Sequence, residues 1–108
     1  MIHARANDDL ALLAERIVPL LLPYGVEEVA FFGSVVRGEA TPDSDLDVLV
    51  RFESPTRKPL GFFGLFELEE KLSLLVGRKV DLVSDRGISR HLRPYIESEK
   101  VVVYGPAQ

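Results

Sequence analysis

Cysteine is absent from the 108 residues. Neither a disulfide framework nor a thiolate metal site can therefore form, and the composition fits a protein of the reducing cytoplasm. No apolar run approaches the ~20 residues a membrane-spanning helix needs, so no membrane association is expected. The opening "MIHARANDDL" carries acids too early for a secretory leader. Positive charge is not in excess either. Thirteen basic residues face 17 acidic ones, a formal net charge of −4, so direct nucleic-acid binding by electrostatics is not expected. No repeat, low-complexity tract or linker divides the chain, and residues 1–108 are expected to form one domain. What is present, 46% apolar and 28% charged residues, is the profile of a globular protein large enough to bury a core.

Hydrophobic periodicity predicts the elements. "DDLALLAERIVPLLLPYG" reads as an amphipathic helix capped at Asp8, with Leu10, Leu13, Ile17 and Leu20 at helical spacing. Pro19 is expected to kink or divide it, and Pro23 and Gly25 to end it. "VEEVAFFG" and "LDVLVRF" read as strands, and "RFESPTRKPLG" as a loop. A second helix, "FFGLFELEEKLSLLVG", carries a stripe of Phe62, Leu65, Phe66, Leu72 and Val76, with Gly77 as its C-terminal cap. Glu69 falls inside that stripe with no partner visible in the sequence. "RKVDLVS" is a third strand, "ISRHLRPYIESE" a last helix interrupted near Pro94, and "KVVVY" a terminal strand. The order α-β-β-α-β-α-β predicts an α/β (α+β) fold, a small mixed sheet flanked by helices.

The chemistry concentrates in "FGSVVRGEATPDSDLDV", residues 32–48. Asp45 and Asp47 lie at i and i+2 where a strand begins, so both carboxylates project from one face. Leu46, Val48 and Val50 face the other way and anchor the strand. Two adjacent carboxylates repel each other unless a cation compensates, and hard oxygen donors suit Mg²⁺. Gly33 and Ser34 follow the first strand directly. A glycine there lets a phosphate approach the backbone, and "SVVR" can open a short helical turn whose N–H groups attract anions. Arg37 can neutralise phosphate or brace the turn. Ser44 can touch the nucleotide or cap the turn. "GEATPDS" returns the chain so that the two strand ends meet. Asp81, an acid within an apolar strand, joins the pair if the third strand lies beside the second; its rival role is an ion pair with Arg78 or Lys79. Three carboxylates could hold metal for a triphosphate, with Asp81 also able to take a hydroxyl proton.

Gly33-Ser34, ten intervening residues, then Asp45-x-Asp47 with the later strand residue Asp81 resembles the nucleotidyltransferase superfamily related to polymerase β. The "GSxxRG…SDxD" form and the small size are most similar to its minimal, MNT-type members, typically antitoxins paired with HEPN-domain toxins. The resemblance implies ATP as donor, Mg²⁺ as cofactor held by Asp45, Asp47 and Asp81, and transfer of AMP to a tyrosine of the toxin. It also implies nucleotide contacts from Gly33 and Ser34. Two other readings compete with it: transfer to a small hydroxylated molecule such as an aminoglycoside, and neutralisation of a partner by binding alone. Nothing is left over to form an acceptor domain, so a second copy of the chain or another protein is expected to complete that site. His3 and His91 read as surface residues, and Arg86, Arg90 and Arg93 as a solvated helix face. Phe63 with Leu74 is a candidate second apolar patch.

Overall fold

β1 (Val26–Phe32) is the strand around which the sheet is built. It runs antiparallel to β2 (Leu46–Phe52) on one side and to β4 (Val101–Tyr104) on the other. β3 (Val80–Ser84) lies parallel to β2, which gives the spatial order β3-β2-β1-β4. The computed structural model describes residues 8–41, 43–53 and 64–105, with side chains from Leu10 onward. The readings placed on His3, Phe62, Phe63 and the Asp8 cap lie outside the described residues and side chains.

The sheet has two unlike faces. On one, α1 (Asp8–Leu21) and α3 (Gly64–Val76) cover the main core, where Leu10, Ile17, Phe31, Leu46 and Leu72 are all fully buried. Burying each such side chain contributes roughly 1.5–3 kcal/mol. On the other, strand alternation presents Ala30 and Leu49 to Ile96 of α4 (Arg93–Glu99), a much smaller cluster. Among the described residues no helix of α4's kind packs over the end of that face where β1 finishes and β2 and β3 begin. The predicted element order is present, with the helical turn expected of "SVVR" forming α2 (Ser34–Arg37). No described helix is long and apolar enough to cross a membrane.

Three expectations are corrected. Pro19 does not divide α1, which continues through it to Leu21. Pro19 lies in the last turn on the exposed side, where a lost hydrogen bond can be replaced by water. Phe66 is not part of the buried stripe of α3: it is 55% exposed, and Leu68 with Leu72 takes the core positions. Pro94 does not interrupt the last helix but starts it. The preceding residues form turns, and α4 opens with Pro94 in its first turn, where proline's missing N–H would have had no helical acceptor.

Candidate active site

Register decides which acids meet. In the parallel ladder Asp47 pairs with Asp81, and in the antiparallel ladder Asp47 pairs with Phe32. Adjacent strands lie about 4.8 Å apart, so the second residues of β2 and β3 present their carboxylates side by side on the thinly covered face. Asp45 precedes β2 by one residue and shares that face with Asp47. Their intervening neighbours Leu46 and Val48 are fully buried in the main core, so a slip of one residue would exchange acid for core.

Gly33 must be glycine. Its φ of +80° and ψ of −153° belong to a region closed to residues with a Cβ. A Cβ there would also collide with the Asp47 carboxylate. The backbone of the turn is thereby laid directly against the acid. The N–H groups of Val36 and Arg37 both donate to the Gly33 carbonyl, at 3.1 and 3.2 Å, closing the first turn of α2. Those of Ser34 and Val35 stand ahead of it at the head of the helix.

The electrostatics of the cluster are unbalanced. Partial burial, then the negative charges of Asp81 and Asp45, push the Asp47 carboxyl above its ordinary range; Arg37 opposes this and Glu99 adds to it. Lys79 lies 4.0 Å from Asp45, with both side chains largely exposed. Among the described residues neither Asp47 nor Asp81 takes part in an ion pair. The rival role for Asp81 therefore fails: Arg78 instead clamps the Ser44 carbonyl, donating from Nε at 3.0 Å and Nη2 at 2.7 Å. Among the described residues no three acids or histidines are gathered closely enough to enclose an ion.

The remaining predicted residues sit as follows. Ser44 spends its hydroxyl and N–H within the turn: the hydroxyl accepts from the Thr41 N–H at 2.9 Å and the N–H donates to the Thr41 carbonyl. Arg37 lies at the rim, its guanidinium paired with Glu39 at 2.9 Å and Glu99 at 3.1 Å. Glu99 itself was missed by sequence reasoning. From the end of α4 its Oε1 accepts the Gly33 N–H at 2.8 Å across 66 residues of chain, and a helix-terminal glutamate before a strand carries no sequence signal of that contact.

Asp47 and Asp81 on adjacent strands, with a glycine-led turn pressed against the former, offer hard oxygen donors beside a closely approachable backbone. The profile of the nucleotidyltransferase domain matches residues 14–104, so the chain belongs to that family. Among its relatives, the protein adenylyltransferase MntA of Thermococcus cleftensis is 41% identical over 80 residues, 74% of this chain and 77% of that protein. A solved minimal nucleotidyltransferase superposes with a TM-score of 0.70 at 38% identity, covering 87% of this chain and 92% of the other. A toxin–antitoxin structure with AMP-PNP superposes with a TM-score of 0.75 at 26% identity, covering 88% and 75%. The protein is thus an enzyme of the nucleotidyltransferase family, and its relatives include protein adenylyltransferases and a minimal nucleotidyltransferase.

Proposed function

We propose that this chain moves AMP from ATP onto a hydroxyl of a partner HEPN-domain toxin, a tyrosine by the family resemblance, and silences that toxin. The observation that carries the reading is the in-register pairing of Asp47 with Asp81, with Gly33 pressed against the former and neither acid in an ion pair among the described residues. The adenylyltransferase relative and the AMP-PNP-bound toxin–antitoxin neighbour support the donor and the type of partner.

The donor set suits Mg²⁺. Asp45, Asp47 and Asp81 offer only hard oxygen ligands, and the raised Asp47 carboxyl marks a site whose negative charge a divalent ion would relieve. When bound, the ion supplies charge neutralisation for the triphosphate. The remaining work falls to the chain. Gly33 and Ser34 receive the β- and γ-phosphates at the head of α2. Asp81, exposed at the strand end, orients the acceptor hydroxyl and accepts its proton. The acceptor oxygen attacks the α-phosphorus in line, a phosphodiester bond forms, the bond to the β-phosphate bridging oxygen breaks, and pyrophosphate leaves. Positioning and charge neutralisation provide most of the acceleration.

The test is label transfer from α-labelled ATP to the co-purified partner, with the added AMP located by mass spectrometry. Asp47→Asn should fold normally and lose at least ~1,000-fold in rate, about 4 kcal/mol of transition-state stabilisation. Undiminished labelling by that variant would remove the assignment.

A further inference from the structure

The head of the nucleotide turn is held by a residue from the other end of the chain. α4 is fixed to the sheet at two points flanking Glu99. Ile96 is buried against Ala30 and Leu49, and Lys100 donates to Glu28 at 2.7 Å. Between these anchors, Glu99 reaches the turn with 29% of its side chain exposed. Its Oε1 accepts from the Gly33 N–H at 2.8 Å and from Arg37 Nη1 at 3.2 Å, and its Oε2 from Arg37 Nη1 at 3.1 Å. A fourth carboxylate beside three aspartates adds repulsion, so its presence needs a compensating role. The contacts show one. They join the first and last residues of the Gly33–Arg37 turn to a single rigid support, in a turn whose glycine conformation does not hold itself.

We propose that Glu99 is a positioning residue for the nucleotide. It locks the Gly33–Arg37 turn against Asp47 and thereby sets how tightly the triphosphate is held. This rests on the functional reading above in taking that turn as the phosphate seat. Glu99 acts through Gly33 and Arg37, so its loss shifts substrate binding and leaves the bond-making step nearly intact.

Calorimetric titration of the folded protein with ATP in the presence of Mg²⁺ reads the proposal, and label transfer reads the functional assignment separately. Glu99→Ala should weaken ATP binding about tenfold and raise KM for ATP in parallel, with kcat within about threefold of the parent. Glu99→Gln keeps an acceptor for the Gly33 N–H and should recover to within about threefold of parental affinity. Should the alanine variant melt below the working temperature, Glu99→Asp, which keeps the charge and shortens the reach, should give the same loss of ATP affinity. Unchanged ATP affinity in Glu99→Ala, or tighter binding, would overturn the proposal, the latter by making the carboxylate a competitor for phosphate donors. Graded ATP affinity across these variants with no AMP transfer by the parent would instead overturn the functional reading and leave the role of Glu99 standing.

Discussion

Two groups of charge occupy the same thinly covered face of the sheet and are treated in opposite ways. Toward the start of β1, Glu28 is 6% exposed, yet its carboxylate is met by Lys100 at 2.7 Å and by Arg51 at 3.7 Å. Lys100 also reaches Glu97 at 3.0 Å. Toward the end of β1, Asp47 and Asp81 lie side by side, and among the described residues neither forms an ion pair. Where charge serves to attach α4, the fold pairs it. Where the proposed function has charge meet a ligand, the fold leaves it without an ion pair among the described residues, and the cost of the repulsion is carried by the rest of the molecule. An unpaired acid group beside a fully paired one, on one surface, is a stronger functional sign than either seen alone.

The paired group should be the easier to break. Lys100→Met leaves the buried Glu28 with only the more distant Arg51 and should cost about 3 kcal/mol in urea unfolding. Adding Glu28→Gln to Lys100→Met should recover most of that loss, and a double variant no better than the single would mean the pair is not the source of the stability. Burial pulls the Lys100 ammonium downward, but the hydrogen bonds to Glu28 and then Glu97 outweigh it and raise its pKa. A group raised on folding contributes stability that is complete below its unfolded pKa, here the ordinary 10.5. That contribution is lost as pH rises through the folded value, so the parent should weaken above about pH 10.5 and Lys100→Met should not share that step.

Gly33→Ala comes next. A side chain at φ +80° costs roughly 1–3 kcal/mol, and its Cβ must also displace the Asp47 carboxylate. Thermal melting should fall and AMP transfer should fall much further. A variant that melts lower with full transfer would show that Gly33 and Asp47 need not touch for the reaction.

The unpaired group behaves with the opposite sign. Asp47→Asn removes a repelling charge, so the variant that should abolish transfer should also melt a few degrees higher at neutral pH. The Asp47 carboxyl is raised on folding by burial first and by Asp81 and Asp45 next. The stability linked to its protonation is therefore fully present below the ordinary carboxylate pKa of 3.8 and lost as pH rises through the higher folded value. The asparagine variant should lack that loss. Mg²⁺ should raise the melting temperature of the parent and leave Asp47→Asn nearly unmoved. A variant that melts lower than the parent at every pH would place Asp47 among the structural charges.

How far the sequence could be read follows the same division. Asp45, Asp47, Gly33 and Ser34 could be singled out because they lie within fifteen consecutive positions and strand alternation fixes the face of the two acids. Asp81 was legible because an acid in an apolar strand needs a reason. Glu99, Arg78 and Lys100 were not, since each finds its partner more than 30 residues away and a surface glutamate, arginine or lysine is the most ordinary of residues. Phe66 misled because helical spacing marks a stripe but not its edge, and the helix turned Leu68 inward instead.

Glu69, the acid inside the apolar stripe of α3, gives the smallest and most specific test. β3 is an outer strand, and the N–H groups of its alternate residues point away from β2. An outer strand with bare donors is a site for unwanted pairing. α3 covers it: Glu69 Oε2 accepts the Leu82 N–H at 2.7 Å, and one helical turn later Ser73 Oγ accepts the Val80 N–H at 2.9 Å. Residues four apart on a helix thus meet residues two apart on a strand, because a helical turn of 5.4 Å and two strand residues of about 6.7 Å nearly match. The charge is incidental to this contact; the oxygen is what counts. Glu69→Gln should therefore be near neutral, while Glu69→Ala should cost roughly 1 kcal/mol by stranding the donor of a buried leucine. Faster exchange of the Leu82 amide in the alanine variant alone would locate the loss. Equal destabilisation by both variants would mean that the negative charge, rather than the covered edge, is what α3 brings to the strand that carries Asp81.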